Sequence, residues 1–412
     1  MKILLFEDEG FRNLLPLVYL RPVWELRCGA YLLIEKIRME LPEHAIYLSA
    51  REYLEKYYFR NENAKPGQNE EVLLLNGRLL AKTGDGARLL SLASGESIVS
   101  DESLIAARLK FTKLADYMRE GVLQTESLVE QFSPVEKEFQ LIRYPWDLIE
   151  ENGRQIRMDW QRAELKRDIE GSVDEGALLL QKEDIYIGRG ARVMPGAVLN
   201  AEKGPVWLDE GALVMPNAVL EGPVYVGPQS RIKTGAKIYE DTSVGPVCKV
   251  GGEVESVIFH SFSNKQHDGF LGHSVLGSWI NIGADTNNSD LKNNYGPVSV
   301  SLNGRQVETG KQFLGLIMGD HSKTAINTMF NTGTIVGMHC NVFGAGFPPK
   351  FLPSFTWGGS GGMRNYRFEK AIEVARIVMA RRSVEFTDNL QKLFEEAGNL
   401  ANQIEKRERV RG

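Results

Sequence analysis

The chain has 412 residues, more than one hydrophobic core normally organises, so two domains are expected, each large enough to bury a core of its own. Its formal charge of −5 comes with no basic block and no basic–aromatic interleaving, which excludes nucleic acid as the expected partner and points to a small ligand that finds its cations locally. No segment approaches membrane-spanning length, and Cys28, Cys248 and Cys340 are far apart with no CxxC pair or zinc spacing, so the reading is of buried thiols in a reducing cytoplasm.

Lys2 to Phe6 predicts a buried first strand, too short for a secretory apolar region and broken at once by Glu7, Asp8 and Glu9. A helix is predicted within Leu20 to Ile37, beginning after Arg21-Pro22, and Val72 to Leu75 is a second buried strand. Strands alternating with helices predict a doubly wound α/β sheet over residues 1–150, with ligand binding at the carboxyl ends of its strands. The loop after the first strand, Glu7-Asp8-Glu9-Gly10-Phe11-Arg12, is poor in glycine for a phosphate cradle. Leu141 to Ile149 is a junction, and residues 151–186 form a linker.

From residue 187 the texture changes to a period of six. Ile187, Val193 and Leu199 keep it, and an insertion of three residues around Lys203 to Pro205 shifts the frame. Leu208, Val214, Leu220, Val226, Ile232, Ile238, Val244 and Val250 then hold it, Phe270, Leu276 and Ile282 resume it, and Met318, Thr324, Phe330, Val336 and Val342 finish it. One short strand and one tight corner per six residues, three units per coil, make a left-handed parallel β-helix over residues 187–361 with these residues inside. A β-sandwich would alternate with period two and not hold one aliphatic residue at every sixth position. Two interruptions, Gly252 to Gln266 and Asp285 to Phe313, are expected to loop out of the coil and wall a site.

Five of six histidines follow residue 255: His260, His267, His273, His321 and His339. As metal ligands, His260, His267 and His273 would stand about one hexad apart, with a third donor available from a neighbouring subunit. Residues 343–361 read as an ordered loop, and 362–412 as a helical cap in which Phe368 to Arg409 covers the open end of the coil. Arg381-Arg382 reads as a solvated face, the lesser alternative being contact with a CoA phosphate of a neighbouring subunit.

The segment from Gly245 to Thr286, with His267-Asp268-Gly269-Phe270-Leu271-Gly272-His273 and Asn281-Ile282-Gly283-Ala284, resembles the bifunctional enzymes that acetylate glucosamine-1-phosphate and then uridylylate the product. The resemblance implies His267 as the catalytic base that deprotonates the sugar amine for attack on acetyl-CoA. It further implies Asn294 and Tyr295 as sugar-orienting residues, Asp320 in the step that holds amine or thioester, and Arg231 and Lys233 on the phosphate. Lys249 or Lys265 would replace the family's phosphate-binding lysine, absent after Val254-Glu255. Phe270 and His273 stand where the family has tyrosine and aspartate.

In the amino-terminal half the resemblance to sugar-1-phosphate nucleotidylyltransferases places Gly10 and Arg12 on the nucleotide loop and Arg21 as the following cation. Where that family keeps a magnesium-binding Gly-Asp, this chain has Asn76-Gly77-Arg78, leaving Glu7, Asp8 or Asp101 for Mg²⁺. Tyr144-Pro145-Trp146-Asp147-Leu148 resembles the junction of archaeal relatives. What is implied is a cytoplasmic homotrimer acting on a sugar phosphate, acetyl-CoA and a nucleoside triphosphate. A nucleotidylyltransferase on a structural β-helix, a metal enzyme and a scaffold are the alternatives.

Overall fold

The computed structural model describes residues 1–61, 64–163 and 169–405. Six strands make the amino-terminal sheet: β1 (Lys2–Phe6), β2 (Ile46–Ser49), β3 (Glu71–Asn76), β4 (Glu96–Ser100), β5 (Ser103–Lys110) and β6 (Ser133–Pro134), in the order β6-β4-β5-β3-β1-β2. β1 lies between β2 and β3, parallel to both, and both its faces are buried, which is why Ile3 to Phe6 and Val72 to Leu75 are continuous apolar runs rather than alternating ones. The sheet is mixed, because β4 and β5 are joined by the two residues Asp101 and Glu102, both at positive φ, and so tight a turn can join only antiparallel strands.

A helix from Pro145 to Arg162 runs across the expected boundary at residue 150. Asp147 caps its start by accepting from the backbone N–H groups of Arg143 and Tyr144. Midway, the Asn152 amide donates to the Asp241 carbonyl and accepts from the Gly29 N–H and the Ser243 hydroxyl, tying the sheet domain to the coils.

The β-helix begins with Ser172–Val173. On its first face Leu213, Arg231 and Lys249 pair in steps of eighteen residues, three hexads per coil. The step from Arg192 to Leu213 is twenty-one, matching the insertion near Lys203. The aliphatic residues of the repeat lie inside in one core, from Ile187 to Val342.

Two expectations need correction here. Gly252 to Gln266 does not loop out. The step from Lys249 to Asn264 is only fifteen residues, and Glu253–Ser261 is one nine-residue strand that turns the corner through Ser256 at φ 54°. This shortened coil also slips the register, so Leu271 pairs with Val254 inside while Phe270 is half-buried on the outer surface. The long interruption is a true excursion, but Asn287–Asn288 still belongs to the coil, paired with Met329–Phe330. Its hairpin, Ser299–Leu302 against Arg305–Glu308, buries Val298, Val300 and Leu302 in the core shared with the amino-terminal domain.

At the corner before the first face, Phe262, Trp279, His321, His339 and Phe355 all have φ between 53° and 62° and stack ring upon ring, with centroids 4.3, 5.9, 4.8 and 5.1 Å apart. Phe394 meets both imidazoles edge-on. It belongs to the second of two helices, Phe368–Ala380 and Asp388–Ile404, which flank this column instead of closing the end of the coil. The hairpin Thr356–Gly359/Gly362–Asn365 forms the last rung. Residues 406–409 of the expected helix lie outside the described residues.

The two domains share one core, in which Ile258, Val275, Ile317 and Ile335 of the third face pack with the amino-terminal sheet and helices. Within it Arg21 donates to Asp320 at 2.6 Å and to the Ser278 hydroxyl at 3.2 Å, both partners of the ion pair being almost fully buried. Removing one member leaves the other charge buried without a counter-ion. Arg21→Ala should therefore cost about 3–5 kcal/mol in urea unfolding, whereas Arg21→Met with Asp320→Leu should recover most of it. Equal loss in single and double variants would show that the pair is not the cause.

Burial pushes His321 well below its ordinary value and His339 down to about 3, so both are neutral in the fold. Below the unfolded histidine's value of about 6.5 the unfolded chain takes up protons that the native chain refuses, so stability falls as pH drops from there toward about 3. His339→Phe, which keeps a ring in the column, should flatten the pH dependence of the melting temperature across this window. An unchanged slope would contradict the assignment.

Candidate functional site

The first face presents one residue per rung at its outer surface. Arg231 pairs with Lys249, Lys249 with Asn264, Asn264 with Asn281 and Asn281 with Lys323, so the coil step alone collects them into a column. The Asn264 side-chain oxygen accepts from Arg382 at 2.8 Å, which brings the end of the Phe368–Ala380 helix onto the same face. The Lys249 amine is lowered from its ordinary value by burial and then by Arg382, Arg231, Lys233 and Arg381, so each of these four cations acts on Lys249. Lys323, two rungs beyond Asn264, is pushed down to about 8 by burial and donates to the His321 carbonyl.

His267 follows on the next corner, exposed at the rim of this face. Lys265, two residues earlier, points the other way. It occupies an inward position opposite Val250, and its ammonium donates to the carbonyls of Gly251, His267 and Gly269 inside the coil. With its three N–H bonds spent there, Lys265 cannot grip a phosphate on the surface, and that expectation is corrected. The register slip of the shortened coil explains how a lysine came to stand where the repeat demands an aliphatic side chain.

Asp320 is likewise removed from any ligand, being the buried partner of Arg21. The same pair removes Arg21 from the nucleotide site. Asn294 and Tyr295 lie on the excursion, exposed, and Asn294 accepts from the Gly296 N–H.

The histidines do not converge on a metal. His260 is half-buried at the domain interface with Nε2 on the Glu25 carbonyl, and His267 is exposed. His273 pairs through Nδ1 with Asp290 at 2.8 Å and stacks on Phe313. Among the described residues no group of three or more His, Cys, Asp or Glu side chains could hold an ion. The His273–Asp290 pair escaped sequence reading, although a separation of seventeen residues, close to one coil step, was the signal available for it.

At the carboxyl ends of β1 and β3 lies a cavity of about 660 Å³ lined by Asp8, Gly10, Arg78, Asp101, Arg143 and Tyr144, among others. Arg78 forks onto both oxygens of Asp8, at 2.9 and 2.5 Å, and passes so close to Gly10 that a side chain there would collide with the guanidinium. Glu7 is gripped by Arg51 and Asp101 pairs with Arg143. The three carboxylates available to Mg²⁺ thus each face an arginine, and the donor set does not fit that ion. Arg12 turns away, paired with Glu9 and lying over the Phe11 ring.

Residues 3–168 match the family model described as sugar nucleotidyl transferase. The bifunctional protein GlmU of Methanocaldococcus jannaschii is 32% identical over 196 residues, covering 48% of this chain and 41% of that protein. The bifunctional sugar-1-phosphate nucleotidylyltransferase/acetyltransferase of Sulfurisphaera tokodaii is 31% identical over 117 residues, 28% of each. The chain thus spans less than half the length of the curated relatives it matches. Among solved structures, the UDP-N-acetylglucosamine acyltransferase from Campylobacter jejuni is similar over 55% of this chain and 93% of its own, at 13% identity and a TM-score of 0.22, too low to carry an argument. The amino-terminal part of the chain thus matches the sugar nucleotidyl transferase model, the chain is similar to bifunctional GlmU proteins over less than half of their length, and the matched domain is joined through one core to a left-handed β-helix.

Proposed function

We propose that the β-helix transfers an acetyl group from acetyl-CoA to the amine of a sugar phosphate, glucosamine-1-phosphate being the expected acceptor, and that the amino-terminal domain transfers a nucleotidyl group from UTP to the sugar-1-phosphate. The observation that carries the first half is the exposed imidazole of His267 at the rim of a face whose Arg231, Lys233 and Lys249 have no carboxylate partner among the described residues. A neutral imidazole takes the proton as the amine nitrogen bonds to the thioester carbon, and the C–S bond breaks to a thiolate that receives the proton. The cations hold the phosphate of the acceptor.

His273 is a second candidate base, favoured by its Asp290 partner, which fixes the ring and leaves Nε2 to act. For the amino-terminal half the support is the family match and the cavity at the strand ends. From the resemblance to hexapeptide-repeat transferases we take the protein to be a cytoplasmic homotrimer, with Asn294 and Tyr295 orienting the sugar. No helix of the described residues is long and apolar enough to cross a membrane.

The test follows thiol and pyrophosphate release separately from glucosamine-1-phosphate, acetyl-CoA, UTP and Mg²⁺. His267→Ala should lower thiol release roughly 10²–10⁴-fold, with pyrophosphate release from N-acetylglucosamine-1-phosphate unchanged. Loss in His273→Ala but not in His267→Ala would transfer the base to His273, and no thiol release from any amino-sugar phosphate would sink the acyl-transfer reading.

A further inference from the structure

We propose that the carboxy-terminal helical hairpin completes a phosphate-binding site on the first face of the β-helix, with Arg382 and Arg381 joining Arg231 and Lys249 around one phosphate group. This rests on the reading above for its place in catalysis, though not for binding itself. The coil register sets Arg231, Lys249 and Asn264 on consecutive rungs, and Asn264 fixes Arg382 by a 2.8 Å hydrogen bond. At a rung spacing of about 4.8 Å, three cationic groups fall within roughly 10 Å along the axis. Lys233 stands two residues beyond Arg231, and Arg381 is exposed beside Arg382.

The charges that act most strongly on Lys249 are all of one sign, those of Arg382, Arg231, Lys233 and Arg381. Three other cationic side chains of the coils are treated differently. Arg192 is held by Asp174, Lys203 by Glu221 and Glu240, and Lys237 by Glu253. Gathering like charges costs free energy unless an anion offsets it, and the hairpin brings two more arginines to the place where the coils already carry three cations. A phosphate monoester, with two charges and several acceptor oxygens, suits mixed guanidinium and ammonium donors. The phosphate has two possible sources, the sugar phosphate or the 3′-phosphate of the acyl carrier.

Binding of inorganic phosphate to the full chain, measured calorimetrically at low salt, reads the site without turnover. The wild type should bind phosphate and lose it as NaCl rises, and Arg382→Gln and Lys249→Gln should each weaken binding roughly tenfold or more. Lys237→Gln, on the second face, should bind as the wild type does. If Arg382→Gln unfolds, Arg381→Gln, which removes an exposed charge with no ion-pair partner among the described residues, replaces it with the same expected direction. In steady-state assays a KM raised for glucosamine-1-phosphate but not for glucosamine assigns the site to the sugar phosphate. A KM raised for acetyl-CoA but not for its 3′-dephospho analogue assigns it to the acyl carrier. Phosphate binding that is absent in the wild type, or unaltered in the folded arginine and lysine variants, overturns the proposal even if His267→Ala abolishes acyl transfer. An inactive protein that still binds phosphate through Arg382 would leave the site standing and remove only its catalytic setting.

Discussion

Parallel stacking of coils at one strand spacing is the constraint from which the rest follows. Once three hexads close a coil, any two residues eighteen apart stand on adjacent rungs, so every column of the solenoid holds one kind of environment. The inner columns become aliphatic, and the left-handed corners before the first face become a stack of rings from Phe262 to Phe355. The outer column of that face gathers Arg231, Lys249, Asn264, Asn281 and Lys323 from residues scattered over more than ninety positions. Departures from eighteen matter for the same reason. A step of fifteen shifts the register, and with it Lys265 enters the interior and Phe270 leaves it.

The amino-terminal domain is no independent neighbour of this solenoid. It packs on the third face through apolar residues of both parts, and the Arg21–Asp320 pair, the Asn152 amide and the Val298–Leu302 strand fasten the join. Arginine recurs as the partner of buried acids in this domain, with Arg51 on Glu7, Arg78 on Asp8 and Arg21 on Asp320. A forked guanidinium satisfies a carboxylate in two directions and stays charged when buried, which is why it can hold such positions where lysine would lose its proton. The consequence at the strand ends is a cavity in which Asp8 and Asp101 each already face an arginine.

Function concentrates on the surfaces that this docking leaves open. The third face is taken by the amino-terminal domain and the ring column by the Asp388–Ile404 helix, while His267 and the cationic column remain exposed or half-exposed beside the end of the other hairpin helix. The helices expected to close the coil's end instead bring Arg382 to the face where the coils concentrate positive charge.

The sequence by itself determined the β-helix, because a period of six is a local property: each aliphatic residue need only face inward after each corner, and Ile187 to Val250 says so without reference to anything distant. It likewise determined the first and third strands of the sheet, where continuous apolar runs report burial on both faces. Only the tertiary structure decided the partners of the charges. Nothing near Arg21 in sequence shows that it will spend itself on Asp320, and the role of Lys265 turns on a coil three residues short, a defect that shifts which face a side chain points to without changing composition. His273 and Asp290, or Arg382 and Asn264, meet because of coil steps and helix docking. Ion pairs of this kind are set by distance in space, and a chain records distance in space only where its repeat is regular.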